Sequence, residues 1–430
     1  MEGETCPSGW RLVKLGELGE VNRGRSRHRP RYAPHLYGGS YPFIQTGDIR
    51  ASGGRITRHS QTYSAAGLAQ SRLWPAGTLC ITIAANIAET AILTYPACFP
   101  DSVVGFVPNP SLCDVRFIEY MFRFLRQEIQ FQATGSVQYN INLATLERLT
   151  FPLPPLEEQV NIASLLGAFD DKIELNRRIN QTLEAMARAI FKSWFVDFEP
   201  VLNGHPLFPT SLVESQLGLA PQGWRVGELG TFVTVVDCLH SKKPERLAEG
   251  KALLQLANIR NDGLLDMSDT YLISEDDYKE WTSRMEAQPG DCVITNVGRV
   301  GAVAQVPRGH RAALGRNMTG LRCKAEFPGP TFLIECLRSS RMKEEIERKT
   351  DSGTILDSLN VRSIPRLRLV LPSRPVLEDF ETICRPLRAK MEQNQKENST
   401  LTTLRDTLLP KLLSGEIRVK QAEKLVGEVV

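Results

Sequence analysis

The stretch DDKIELNRRINQTLEAM, residues 170–186, decides how this chain is organised. It has the composition of a helix, and its apolar positions extend in both directions: Ile162, Leu166, Phe169, Ile173, Asn176, Asn180, Leu183, Ala187, Ile190 and Trp194. The steps alternate between four and three residues without a slip, the spacing of a coiled-coil seam rather than of a lone surface helix. Two adjacent amides stand at the middle of that seam. A buried amide weakens a coiled coil but penalises every register that leaves it without a partner, so the pair predicts a helix whose alignment matters.

The seam occurs twice. Adding 218 to each position gives Phe380, Cys384, Leu387, Met391, Asn394, Asn398, Leu401, Arg405, Leu408 and Leu412, and both amides recur. The segments before the two seams repeat as well. PSGWRLVKLGEL (7–18) returns as PQGWRVGELG (221–230), WPAGTLCITIA (74–84) as AQPGDCVITNV (287–297), and INLATLERLTFPLPP (141–155) as LNVRSIPRLRLVLPS (359–373). A repeat this long is a duplicated domain rather than a solenoid. The 430-residue length also exceeds what one hydrophobic core usually supports.

The predicted class is α+β, with two mixed globular units and two long helices related by a pseudo-twofold axis. Such an axis makes the helices antiparallel. Head-to-tail pairing sets Asn176 opposite Asn398 and Asn180 opposite Asn394. Each 33-residue seam would run about 50 Å and act as a spacer between the units. The expected divisions are a first globular domain at 1–153, a helical spacer at 154–198, a proline-containing linker at 199–220, a second globular domain at 221–372, a second helical spacer at 373–418 and a tail at 419–430. Pro386 inside the second seam predicts a kink or a late start, and Arg405 at a seam position must snorkel or pair. Phe191, Phe195 and Phe198 form an apolar face beyond the seam that needs cover.

Composition bounds the function. No run reaches the length of a membrane span and the N-terminal residues lack an apolar signal core, so a cytoplasmic chain with no membrane partner is expected. The nine cysteines are scattered without a CxxC, which suits reduced thiols. There is no GxxxxGK[ST] phosphate loop and no Asn/Asp-Pro-Pro-aromatic stretch; Asn109-Pro110 is followed by Ser111. The six histidines show no metal-ligand spacing, and Cys238 with His240 lacks a third ligand. No catalytic and no metal-binding residues are expected.

The net charge of +3 is small, but its distribution is uneven. Residues 21–58 carry eight arginines against Asp48, five of them in RGRSRHRPRY (23–32). Residues 292–325 carry Arg299, Arg308, Arg311, Arg316, Arg322 and Lys324 and no acid. Arginine forks suit phosphates and guanine edges, so both runs point to DNA. The alternative is a non-DNA interaction scaffold with two protein-binding domains on a coiled coil. A free-standing methyltransferase or nuclease is disfavoured by the missing motifs.

The repeated GW…LGEL opening, YGGSYPFIQTGDIR (37–50), FPLPPLEEQ (151–159), LNRRINQTLEAMARAIFKSWFVDFEPV (175–201), SQLGLAPQGWRV (215–226) and LLPKLLSGEIRV (408–419) resemble, in this order and spacing, the specificity subunit of type I restriction–modification systems. The resemblance implies a non-catalytic subunit. Its two target-recognition domains would each read half of a bipartite double-stranded DNA target, and its helices would set the spacer and dock two modification subunits. S-adenosylmethionine, adenine methylation and, in restriction subunits, an ATP-driven motor would belong to those partners. No cofactor is expected on this chain itself.

The expected DNA-facing residues are Arg23, Arg25, Arg27 and Arg29 for phosphates, with Gln45, Thr46, Asn86 and Gln138 for bases, in the first domain. In the second they are Lys242, Lys243, Asn258, Arg260, Asn296, Arg299, Arg316 and Asn317. Asn and Gln read adenine bidentately and Arg reads guanine. AANIAETAIL (84–93) lacks the glycines of GRVGAV (298–303), which predicts a differently shaped loop in the first domain.

Overall fold

The computed structural model describes residues 7–84, 86–134, 143–327, 329–351, 353 and 357–427. The chain forms two compact units: Met1–Ile173 with Thr400–Val430, and Glu174–Ser399. Each unit therefore takes one globular segment together with a part of both long helices, a division that cuts across the linear one.

The first unit is built on a five-stranded sheet. Gly19–Arg23 pairs with Val103–Pro108, which pairs with Leu79–Thr82, then Thr90–Leu93, then Arg55–Ile56. All pairings are antiparallel except the last. Leu79–Thr82 (LCIT) is buried at every position. It is the central strand, covered on both faces, and so reads as a continuous apolar run rather than an alternating one. The helix Val115–Thr134 contributes Phe117, Met121 and Phe122 to the core.

The second unit repeats this order in a four-stranded antiparallel sheet: Val233–Asp237, Met318–Cys323, Cys292–Thr295 and Val303–Gln305. Cys292–Thr295 (CVIT) is again wholly buried. Gly105 and Gly320 occupy matching places on the neighbouring strands. A Cβ at Gly105 would lie 2.6 Å from the Trp74 ring, and one at Gly320 would lie 2.5 Å from the Met285 sulfur. Glycine is required there because a large side chain packs directly on the backbone.

The repeated sequence motifs close each unit in the same way. Arg11–Lys14 pairs antiparallel with Thr150–Leu153, and Arg225–Glu228 with Arg368–Leu371. These strands bring the GW opening against the segment that enters the long helix.

The long helices are Leu156–Phe195 and Arg374–Leu413, 40 residues each. In the first unit, Ile162, Leu166, Phe169 and Ile173 share a core with Leu401, Leu408 and Leu412. In the second unit, Asn176 Nδ2 donates to Asn398 Oδ1 at 3.0 Å, and Asn394 Nδ2 donates to Asn180 Oδ1 at 2.8 Å. Since 176 meets 398 and 180 meets 394, the helices run antiparallel there, in the register the amides predicted. Asn176 also donates to Glu397 at 2.9 Å, and Asn180 to the Met391 carbonyl at 3.1 Å. The added acceptor at Glu397 helps accommodate the Asn176 amide, which is 1% exposed, whereas Asn394, at 0%, has its Nδ2 bonded to Asn180 and no hydrogen-bond partner for its Oδ1 among the described residues.

One expectation is corrected. The second long helix neither starts late nor breaks at Pro386, because it begins at Arg374 and runs through. Pro386 is exposed, so the Thr382 carbonyl that loses its helical bond lies on a solvent-facing side. The apolar face of Phe191, Phe195 and Phe198 is covered within its own unit, at 6%, 5% and 3% exposure. Phe332, Phe380 and Trp224 pack around it in tilted and edge-to-face contacts. Arg405 pairs rather than snorkels: its guanidinium donates to Asp170 at 2.6 Å. The eight described cysteines are free thiols. Among the described residues, no helix is long and apolar enough to cross a membrane.

Candidate nucleic-acid interface

Each unit carries a tight loop between the central strand of its sheet and the strand that follows. In the first unit, the Thr82 hydroxyl donates to the Asn86 carbonyl. Thr82 also accepts from the Glu89 amide at 3.0 Å, and the Ala88 amide donates to the Thr82 carbonyl at 2.9 Å. In the second unit, the Thr295 hydroxyl donates to the Arg299 carbonyl and accepts from the Ala302 amide at 3.0 Å. There the Gly301 amide donates to the Thr295 carbonyl, also at 3.0 Å. The two loops are the same turn. Ala88, at φ +60°, takes the left-handed place that Gly301 takes at φ +72°. The expectation of a differently shaped loop in the first domain is therefore overturned: the threonine hydroxyl organises the turn, and an alanine tolerates the backbone that glycine adopts freely.

This match places Asn86 and Arg299 at equivalent positions. Asn86 Oδ1 accepts from Arg50 at 3.4 Å. Arg299 is held by the Ile259 carbonyl at 2.7 Å and by Asn261 Oδ1 at 2.6 Å, and it has no carboxylate partner among the described residues.

A second matched feature follows the first strand of each sheet. In the first unit the loop after Gly19–Arg23 presents the arginine run. Arg23 donates to the Asp101 carbonyl, and Arg29 donates to the carbonyls of Ser26 and His28 at 2.8 and 2.9 Å. The loop is pinned by Gln70, whose side-chain oxygen accepts from the Arg27 and His28 amides. Arg23, Arg25, Arg27 and Arg29 are exposed, and among the described residues none is paired with a carboxylate. Arg31 differs: it is bound to Asp101 at 2.7 Å. In the second unit the corresponding loop follows Val233–Asp237 and presents Lys242 and Lys243, both exposed. Lys243 Nζ sits 4.0 Å from the centre of the Tyr271 ring.

Gln45 and Thr46 open the helix Thr46–Ala51. The Gln45 amide donates to Asp48 Oδ2 at 2.8 Å, which leaves the Gln45 side chain free to bond Gln61 at 2.6 Å on the surface. The same turn recurs at Gln255–Asn258, where the Gln255 amide donates to Asn258 Oδ1 at 2.7 Å.

That recurrence corrects one assignment. Asn258 is the counterpart of the capping Asp48. It is 4% exposed, and its other amide atom donates to the Asp266 carbonyl at 2.7 Å. Its hydrogen-bonding capacity is used inside the fold. Gln255, at the place of Gln45, is the residue that sequence reasoning missed; the spacing QTGD (45–48) against QLAN (255–258) is the signal that could have found it.

Asn296 is likewise internal, at 6% exposure. It donates to the Leu359 carbonyl at 3.2 Å and accepts from Thr319 at 3.0 Å. Arg260 is held in a bidentate pair with Asp262, Nη2 donating to Oδ2 at 2.7 Å and Nε to Oδ1 at 3.2 Å. Arg316 and Asn317 are exposed, and Asn317 has a left-handed φ of +65°. Gln138 lies outside the described residues.

Two of the six basic residues in the run 292–325 are neutralised by acids just upstream of it. Arg322 binds Asp291 at 2.5 and 2.9 Å, and Arg311 binds Glu286 at 2.5 Å. Lys324 donates to the carbonyls of Gly230 and Thr231. Asp237 adds a third donor beside Cys238 and His240, with all three ligand atoms within 4.8 Å of one another. His240 is engaged with Asp237 at 2.8 Å, and burial pushes the Cys238 thiol up from its ordinary pKa.

Similarity to known proteins agrees with these features. A family described as "Type I restriction modification DNA specificity domain" matches residues 7–185. The type I restriction enzyme MjaIX specificity subunit of Methanocaldococcus jannaschii is 26% identical over 96% of this chain and 95% of its own length. The HindI specificity subunit of Haemophilus influenzae is 27% identical over 64% of this chain and 71% of its own. The crystal structure of the type I restriction–modification S subunit from M. genitalium has the same fold, with a TM-score of 0.62 at 18% identity over 96% of this chain and 98% of that one. The duplicated domain, the paired helices and these relatives agree: over nearly its whole length the chain is similar to type I restriction–modification specificity subunits.

Proposed function

We propose that this chain is the non-catalytic DNA-reading subunit of its complex, with each globular domain reading one half of a bipartite double-stranded target. The helices set the spacer through their amide register and dock two modification subunits, which supply S-adenosylmethionine and methylate adenine. Restriction subunits with an ATP-driven motor complete the larger assembly.

The observation that carries this reading is the duplication of a loop framework that presents unneutralised basic and amide side chains. Arg23, Arg25, Arg27 and Arg29 with Lys242 and Lys243 supply phosphate contacts. Gln45, Thr46, Asn86, Gln255, Arg299, Arg316 and Asn317 are the base readers. Asn258, Asn296 and Arg260 leave the set because their polar atoms are committed internally. Phosphate contacts position a protein on the duplex, whereas base-edge contacts specify the sequence.

A gel-shift series on duplex DNA, with and without the modification subunits, tests the proposal. Weak, salt-sensitive binding is expected for the chain alone, and tight, sequence-selective binding in the complex. Tight S-adenosylmethionine binding by this chain alone would overturn it in favour of a free-standing methyltransferase.

A further inference from the structure

In each unit a chain of alternating charges, buried at Glu119, Glu335, Arg338 and Arg388 and half-buried at the rest, ties the globular domain to the long helices. In the first unit it runs from Glu119 to Arg123, then to Asp170 on the first long helix and Arg405 on the second. Arg123 bonds Glu119 at 2.5 Å and Asp170 at 3.1 Å, and Arg405 bonds Asp170 at 2.6 Å. Tyr120 adds its hydroxyl to Asp170 at 2.7 Å.

In the second unit the chain runs from Glu184 on the first long helix to Arg338, Glu335 and Arg388 on the second. Arg338 bonds Glu184 and lies 3.8 Å from Glu335, and Arg388 bonds Glu335 at 3.3 Å. Arg388 also donates to Gln305 at 3.0 Å and to the Gly263 carbonyl at 3.1 Å. The side chains of Arg388 and Glu335 are 3% and 2% exposed. Each chain holds two carboxylates and two guanidiniums. In both, the first long helix supplies an acid and the second supplies an arginine.

The helices are repeats of one another, so this division of charge has a consequence. Through the 218-residue repeat, Asp170 corresponds to Arg388, Ala187 to Arg405 and Glu184 to Thr402. Two copies of the first helix, paired in the same register, would replace Arg405 by a second Ala187 and place a second Glu184 one turn away. The site would then hold Glu119, Asp170 and that Glu184 against Arg123 and the exposed Arg188 that pairs with Glu184 on its own helix. Two copies of the second helix would bring a second Arg405 beside Arg388 and remove Glu184 from Arg338. Three guanidiniums would face Glu335 and the exposed Asp406 that neighbours Arg405 on its own helix. Buried charge left uncompensated is strongly destabilising, and an arrangement that burdens the wrong pairing is how repeated helices reject copies of themselves.

We infer that the four long-helix charges, Asp170, Glu184, Arg388 and Arg405, are a pairing code. The first long helix accepts the second long helix and refuses another copy of itself, so the two halves of the chain associate only with each other. The seam amides cannot supply this choice, because they occur identically in both helices.

The test uses the full chain with a protease site inserted between Gly204 and His205 in the exposed linker. The protein is folded, cleaved, unfolded in urea, diluted and examined by native mass spectrometry. Mixed pairs are expected in at least about tenfold excess over either self-pair. The variant Asp170→Arg gives a self-paired first half two carboxylates and two guanidiniums, while leaving the mixed pair with an excess of positive charge. Self-pairs of that half should then appear. A random mixture from the parent, or an unchanged ratio in Asp170→Arg, would overturn the inference. A second measurement needs no cleavage: in the intact chain, Asp170→Arg should lower the thermal midpoint and Asp170→Arg/Arg405→Asp should recover more than half the loss. Losses that merely add would also overturn it.

Discussion

Arg388→Met is the substitution whose outcome can be worked most fully from the structure. The guanidinium is 3% exposed, and it bonds Glu335, Gln305 and the Gly263 carbonyl at 3.0–3.3 Å. Methionine retains much of the stem's volume, so packing alone changes little. What changes is polar. Glu335, 2% exposed, keeps only Arg338 at 3.8 Å, beyond hydrogen-bond reach, and two further acceptors lose their donor. Removing one member of a buried ion pair costs about 3–5 kcal/mol. In a unit of about 200 residues that corresponds to a fall of roughly 6–20 °C in thermal midpoint. Urea unfolding followed by tryptophan fluorescence and calorimetry would measure it. Glu335→Gln/Arg388→Met should recover a substantial part, because both charges then leave the interior. A single variant within about 1 kcal/mol of the parent would refute the argument, since it would mean that water reaches the pair as it does at an exposed salt bridge.

Other outcomes follow from the same geometry. Asn176→Ala should destabilise by about 1–3 kcal/mol in denaturant titration, since Asn398 and Glu397 lose their buried donor. Arg25→Ala should weaken DNA binding by the assembled complex about equally on all sequences and reduce the salt slope by about 1, whereas Arg322→Ala, whose guanidinium is bound to Asp291, should lower stability and leave that slope unchanged. For Asp170, burial pushes the carboxyl up, but Arg123, the Tyr120 hydroxyl and Arg405 together outweigh burial and hold it below the usual aspartate value of 3.8. A depressed carboxyl contributes stability that is fully present above that value and is lost as pH falls through the lowered one. Acid titration below pH 3.8 should therefore show a step in stability that Asp170→Asn abolishes.

The architecture was legible wherever a periodic pattern carried it. The four–three alternation and the paired amides indicated the antiparallel register, because most seam positions are buried, Asn176 and Asn394 included. The site was legible only in part, since one side chain serves different ends in different surroundings. Asn258 looks like a base reader and is a cap, which only its spacing from Gln255 distinguishes. Arg322 looks unopposed along its own segment, yet Asp291 meets it from the neighbouring strand. Composition counted along a segment cannot see neutralisation across a sheet.

The loop at Ala88 shows the limit most plainly. A glycine signature was absent, and the absence suggested a different turn. The turn is nevertheless the same, because Thr82 and Thr295 make the same bonds. A left-handed alanine costs about 1–2 kcal/mol, and burial of its methyl group offsets part of that, since Ala88 is 0% exposed and packs with Ile83 and Phe117 in the core. The hydroxyl at the start of a loop can thus hold the same framework where alanine stands in place of glycine. In a duplicated protein that lets the residues carried on the two loops differ, as Asn86 and Arg299 do, while the backbone that holds them stays the same.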